Sequence, residues 1–185
     1  MLKKIISGCQ TGCDRAALDV AMERGIEHGG WCPKGRISED GIIPEKYNLL
    51  ETESHNVEQR TKKNIEESEG TLVFVPQLPL KITDGTRLTI EYAQSILRPL
   101  LIIDLSSCDK ANKEFCLWLQ ENNISILNIG GPRESSAEGI YDKTYNKFGE
   151  MLDFIIKMRN AAKPRESNIE PAGHLLAQNI SCSIK

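Results

Sequence analysis

The stretch Lys4-Ile5-Ile6-Ser7-Gly8-Cys9-Gln10-Thr11-Gly12-Cys13-Asp14-Arg15, continued by Ala16-Ala17-Leu18-Asp19-Val20-Ala21-Met22, decides how this chain is read. Its first four residues read as a buried strand centred on Ile5-Ile6, and its middle is punctuated by two glycines. Its end repeats apolar residues at Ala17, Leu18, Ala21 and Met22, one side of a helix expected over about residues 14–24. A buried strand that runs through a glycine turn into a helix is the opening unit of a parallel α/β sheet.

The same alternation recurs along the 185 residues. A short second strand is expected near Gly30-Trp31-Cys32, followed by a surface loop through residues 33–52 rich in Gly, Pro and charge. Residues 56–68 read as a helix with Val57, Thr61 and Ile65 on one face and Arg60 and Asn64 on the neighbouring one. Strands are expected at Thr71–Val75, Leu100–Ile103 and Ile124–Ile129, with helices over about 86–97 and 110–122 between them. In a final helix Tyr141, Tyr145, Phe148, Leu152 and Ile155 share one face. Strands that are continuous apolar runs belong to sheets covered on both sides. The expected architecture is therefore a Rossmann-like three-layer α/β domain over residues 1–160, with a mostly parallel sheet of about five or more strands and helices on both faces. Residues 161–185 lose the periodicity and read as a C-terminal tail. The pattern leaves the strand order open.

Composition excludes several classes of function. The chain carries 23 basic and 26 acidic residues, a net charge of −3, and only 5% aromatic residues. It therefore offers neither a general positive field nor a stacking surface, and no nucleic-acid partner is expected. The N-terminal apolar run is too short for a signal peptide or a membrane span, so no membrane role is expected either. Cys9, Cys13, Cys32, Cys108, Cys116 and Cys182 form no CxxC pair and no compact framework. Free thiols suit a reducing compartment, which makes a cytoplasmic protein the expectation and a protein-bound metal not.

In an open parallel sheet, ligands sit beyond the carboxyl ends of the strands, so the turns there are the candidate chemistry. The first is Gly8 to Arg15, where glycines admit close backbone approach and the next helix offers free amides to an anion. Thr11 and Asp14 also have the spacing of a capping box, so the segment reads equally as a tight turn with a capped helix. It is neither a GxGxxG dinucleotide fingerprint nor a Walker loop. The second turn is Thr83-Asp84-Gly85-Thr86-Arg87-Leu88-Thr89, where Thr86 suits a helix cap that offers its hydroxyl to phosphate. The third is Gly130-Gly131-Pro132-Arg133-Glu134-Ser135, in which Glu134 is also positioned to pair with Arg133. Between them, Lys34 and Arg36 flank Gly35 in a glycine-bounded loop and form a candidate anion clamp, with His28 nearby. Asp14, Glu39, Asp40 and Glu91 are acid–base candidates without an assignable pair.

Together these segments resemble the molybdenum-cofactor carrier family, a branch of the Rossmann-like superfamily that includes cytokinin-activating phosphoribohydrolases and DNA-processing A proteins. The resemblance runs from Ile5 to about Ile156 through SGCQTGCDRAALD, HGGWCPKGRISEDGIIPEKY, EQRTKKNIEESEGTL, TDGTRLT and NIGGPRES, in that order. It implies a dimer or tetramer that binds a pterin or nucleotide-like phosphate. By position, the binding residues it implies are Gly8, Gln10, Thr11, Gly12, Asp14 and Arg15; Lys34, Gly35 and Arg36; Gly85, Thr86 and Thr89; and Gly131, Pro132, Arg133 and Ser135. Two departures bear on affinity. Cys9 stands in place of a second glycine, and Asp84 replaces a glycine before Gly85.

Three functions follow as expectations. The first is a carrier that holds molybdenum cofactor or another pterin or nucleotide phosphate and passes it to a recipient molybdoenzyme, breaking no bond. The second is a phosphoribohydrolase-like enzyme in which Glu91 or Asp14 polarises ribose or water. The third is a nucleotide-sensing module.

Overall fold

A computed structural model describes residues 2–81 and 85–162. In chain order the elements are β1 (Lys4–Ile6), α1 (Cys13–Glu23), β2 (Glu27–Gly29), β3 (Trp31–Cys32), β4 (Ile37–Ser38), β5 (Gly41–Ile42), β6 (Leu50–Glu51), α2 (Val57–Glu66), β7 (Gly70–Val75), α3 (Gly85–Ser95), β8 (Leu100–Asp104), α4 (Ala111–Glu121), β9 (Ile126–Gly130) and α5 (Ile140–Ala162). The chain folds as expected into an α/β sandwich around a five-stranded, fully parallel sheet in the order β2-β1-β9-β7-β8.

That order carries information no local pattern holds. If β9 is counted first instead of last, it becomes 3-2-1-4-5, the doubly wound Rossmann order. The chain thus travels the Rossmann circuit from a different starting point. The steps β1→β2 and β8→β9 move toward one edge of the sheet, while β2→β7 and β7→β8 move toward the other. Right-handed crossovers then place α1 and α4 on one face and α2 and α3 on the opposite one. The packing follows this rule: α5 contacts both α1 and α4, and α2 packs against α3.

The core lies mainly under α5. Phe148 meets Phe74 of β7 and Phe115 of α4 edge-on, with ring centroids 6.1 and 6.2 Å apart. The buried stripe of α5 is Ile140, Thr144, Phe148, Met151 and Leu152. Tyr141 and Tyr145 are only half-buried, because their hydroxyls reach Asp19 and Glu23 on α1.

Two sequence expectations need correction. The second strand of the central sheet is Glu27-His28-Gly29, not the segment around Trp31, because an edge strand needs no apolar run. Trp31-Cys32 instead pairs with Leu50-Glu51 in a separate two-stranded ribbon. The stretch expected as a plain loop, 33–52, also holds the hairpin β4–β5. The expected tail, 161–185, lies outside the described residues beyond Ala162. Among the described residues no helix is long and apolar enough to cross a membrane.

Candidate ligand-binding site

β9 leads into α5 on one face of the sheet, while the neighbouring β7 leads toward α3 on the other. Adjacent strands that diverge this way open a crevice at their carboxyl ends. Here that crevice is a cavity of about 150 Å³, with Gln10, Asp14, Arg60, Thr89, Asn128 and Arg133 among its polar walls. Among the described residues its charged lining is one carboxylate, Asp14, against two guanidinium groups, Arg60 and Arg133. A chain of net negative charge thus brings two guanidinium groups to this pocket, Arg60 paired with Asp14 and Arg133 facing Glu39.

Asp14 sits in the first turn of α1, where the positive end of the helix favours a carboxylate. It is buried, and Arg60 Nη1 donates to its Oδ2 over 2.9 Å while the Gln10 N–H approaches the same oxygen at 3.4 Å. Burial pushes its carboxyl above the ordinary range, against the opposing pull of Arg60. Arg60 reaches Asp14 by lying across Gly8, where a Cβ would stand 1.7 Å from Nη1. The glycine at residue 8 therefore makes room for a guanidinium of this protein. Sequence reading singled out Arg60 only as a face-mate of Asn64. The signal was present, since both recur four apart on α2, and both line the cavity.

The first and third turns are fused. Cys13 donates its N–H to the Pro132 carbonyl over 3.2 Å, and the Glu134 N–H reaches Thr11 Oγ1 over 3.1 Å. Asp14 does turn back toward an amide, but α1 starts after Gly12 without a side-chain cap, so the capping box forms only in part. The Thr11 hydroxyl instead donates to Glu39 at the tip of the β4–β5 hairpin. Glu39 also accepts from the Ser135 N–H at 3.2 Å and the Ser135 hydroxyl, and stands 3.8 Å from Arg133. Burial opposes its charge, yet the hydrogen bonds from Ser135 and Thr11 hold its carboxyl below the usual range. The adjacent Asp40 grips Arg15 with both oxygens, which brings its carboxyl down to about 2.

Glu134 does not pair with Arg133. Its carboxylate accepts the N–H groups of Gly139 and, over 3.0 Å, of Tyr141 at the start of α5. Glu134→Ala is expected to cost about 1 kcal/mol, as lost helix caps do, and to lower Tm by about 3 °C. A thermal melt checks this.

Of the residues singled out by sequence, Gln10, Asp14, Gly85, Thr89, Gly131 and Arg133 line the cavity. Thr11, Gly12, Arg15 and Ser135 line an adjoining groove with Glu39, Asp40 and Tyr141. Gly8 lies beneath Arg60, and the Pro132 carbonyl ties the two turns together. Thr86 is buried within the first turn of α3, inside the helix and not at its cap. Thr83 and Asp84 lie outside the described residues.

Lys34, Gly35 and Arg36 form a short 3₁₀ turn that lines neither space. Arg36 donates to the carbonyls of Ile43, Pro44, Tyr47 and Leu49 and so braces the loop. His28 faces Lys46 and Asn48. Glu91 pairs with Arg87 on the exposed side of α3, away from the cavity. Burial pushes the Cys9 thiol up to about 12, so it stays protonated. Cys9 has a φ of +56°, a conformation glycine takes more easily. Among the described residues no group of three His, Cys, Asp or Glu side chains is placed to hold a metal ion.

Comparison with known proteins agrees with this fold. Residues 5–152 match the model of a family described as the circularly permutated YpsA SLOG family. The chain also resembles a crystal structure from Syntrophus aciditrophicus SB named "Putative molybdenum carrier protein". The two are 40% identical, with a TM-score of 0.76, over 84% of this chain and 95% of that one. No curated protein matches significantly.

Proposed function

Because the chain belongs to the circularly permutated YpsA SLOG family, we propose that it is a binding or carrier protein for an anionic, phosphate-bearing small ligand, molybdenum cofactor or a related pterin. One observation carries this reading. The turn after β1, the end of β9, the start of α3 and the guanidinium groups of Arg60 and Arg133 converge on one small cavity. Backbone amides at a helix start and a planar guanidinium are the groups that hold phosphate oxygens. The name of the similar Syntrophus protein supports the choice of cargo. The cytoplasmic setting, the dimer or tetramer and a molybdoenzyme recipient belong to the same proposal.

Mass spectrometry of the small molecule released on denaturation, followed by calorimetry with pterin phosphates, tests the reading. Arg133→Ala is expected to weaken that binding about tenfold, the effect of one charge-assisted hydrogen bond. Binding of nucleoside monophosphates with no affinity for any pterin phosphate would overturn the proposed cargo.

A nucleoside-monophosphate hydrolase is the second reading, and Asp14 favours it, because a buried carboxyl raised above its ordinary range is suited to acid–base work. Glu91, the other candidate, stands outside the cavity. The carrier reading expects no release of free base. Release that Asp14→Asn removes would replace it.

A further inference from the structure

The hairpin β4–β5 meets the strand-end turns through its acidic tip. Its strands are two residues each, separate from the central sheet, and the cross-strand pair Ile37 and Ile42 is 52% and 77% exposed. At the tip, one oxygen of Glu39 accepts the Thr11 hydroxyl and the Ser135 N–H, and the other accepts the Ser135 hydroxyl and faces Arg133. Two hydroxyls, a backbone amide and a guanidinium are the donor set of an oxyanion site. Asp40 occupies Arg15 in the same way.

We propose that the tip of this hairpin is an internal stand-in for a ligand oxyanion, which an incoming phosphate must displace to reach Thr11, Arg133 and Ser135. The inference rests on the proposed anion-binding function and adds its regulation. Occupancy is mutually exclusive, because two anions sharing these donors would stand within a few ångströms and repel each other. The coupling to the cavity is direct. Gln10 Oε1 accepts both the Thr11 N–H, over 3.1 Å, and the Glu39 N–H, over 2.9 Å, and Gln10 and Arg133 both line the cavity. A ligand that engages either residue withdraws a support from the hairpin. With the Arg133 side chain 43% exposed and that of Glu39 20%, the ion pair between them lies near the surface, where such pairs contribute little.

The test uses the full-length protein, inorganic phosphate and the variants Glu39→Gln and Asp40→Asn. Calorimetry is expected to show Glu39→Gln binding phosphate about five- to tenfold tighter than the unaltered chain, with a smaller gain for Asp40→Asn. Hydrogen exchange at the amides of residues 37–43 is expected to accelerate when phosphate is added to the unaltered chain. Equal affinity in chain and variant, with exchange of the hairpin unmoved by phosphate, would overturn the displacement while leaving the anion-binding function intact. Failure of every folded form to bind any phosphate would overturn both.

Discussion

Gly12→Ala is expected to lower stability by about 3 kcal/mol and Tm by about 10 °C, and to abolish ligand binding with it. Gly12 has a φ of +74°, and a Cβ there would stand 2.5 Å from the Pro132 carbonyl oxygen and 2.9 Å from backbone atoms of Arg133 and Glu134. Alanine thus meets two penalties at once. The positive-φ backbone, with ψ at −131°, costs it more than about 1 kcal/mol, and relief of the clash requires one backbone segment to leave the other, because no flexible side chain is available to give way. The segments are the first and third strand-end turns, so parting them also opens the cavity. Gly85→Ala is the matching control. Among the described residues nothing lies within 4 Å of a Cβ there, at a helical position where alanine is favoured. Stability is expected to be unchanged or slightly higher, and any loss of affinity then measures crowding of the ligand alone. Chemical denaturation and calorimetry on the two variants separate fold from site.

Arg60→Met is expected to destabilise the protein by about 3–5 kcal/mol at pH 7.5, the cost of leaving a buried charge without its partner. The loss should shrink on acidification. Burial already raises the Asp14 carboxyl above its ordinary range while Arg60 lowers it, so removing Arg60 raises it further. A carboxyl with a raised folded-state pKa binds its proton more tightly in the folded chain. Its contribution is therefore kept below the unfolded value and lost as pH rises through the folded one. Denaturation of the variant at pH 5 should show a smaller deficit from the unaltered protein than at pH 8. Adding Asp14→Asn to Arg60→Met should recover part of the stability, because the orphaned charge is gone. A deficit equal at both pH values would show that Asp14 is not its source.

The sequence exposed the candidate site only in part, and particular residues show why. Gln10, Asp14, Gly131 and Arg133 were legible because glycine and polar residues directly after an apolar strand mark a strand end locally. Arg60 was legible only as a polar face of α2, since its partner Asp14 is 46 residues away. Glu39 and Asp40 read as loop charges and as acid–base candidates without an assignable pair, and nothing beside them in the chain indicates that they meet Thr11, Ser135 and Arg15. Arg36 looked like part of an anion clamp, yet its donors go to main-chain carbonyls that only the folded loop assembles. The β2 strand escaped notice because a three-residue edge strand is held by main-chain pairing, which leaves no mark on side-chain type.

Sequence alone determined the strand–turn–helix units other than β2, and the places of the first and third glycine turns. These are decided by hydrophobic periodicity and backbone preference within a few residues of chain. Tertiary structure alone decided that β9 inserts between β1 and β7, where Ser7, just after β1, donates its hydroxyl to the Ile129 carbonyl across 122 positions over 2.7 Å. That insertion seats the third turn against the first and closes the cavity with Arg60. Its energy lies in pairings between distant segments, favourable only when sheet and helices pack together, so no local stretch of sequence carries it.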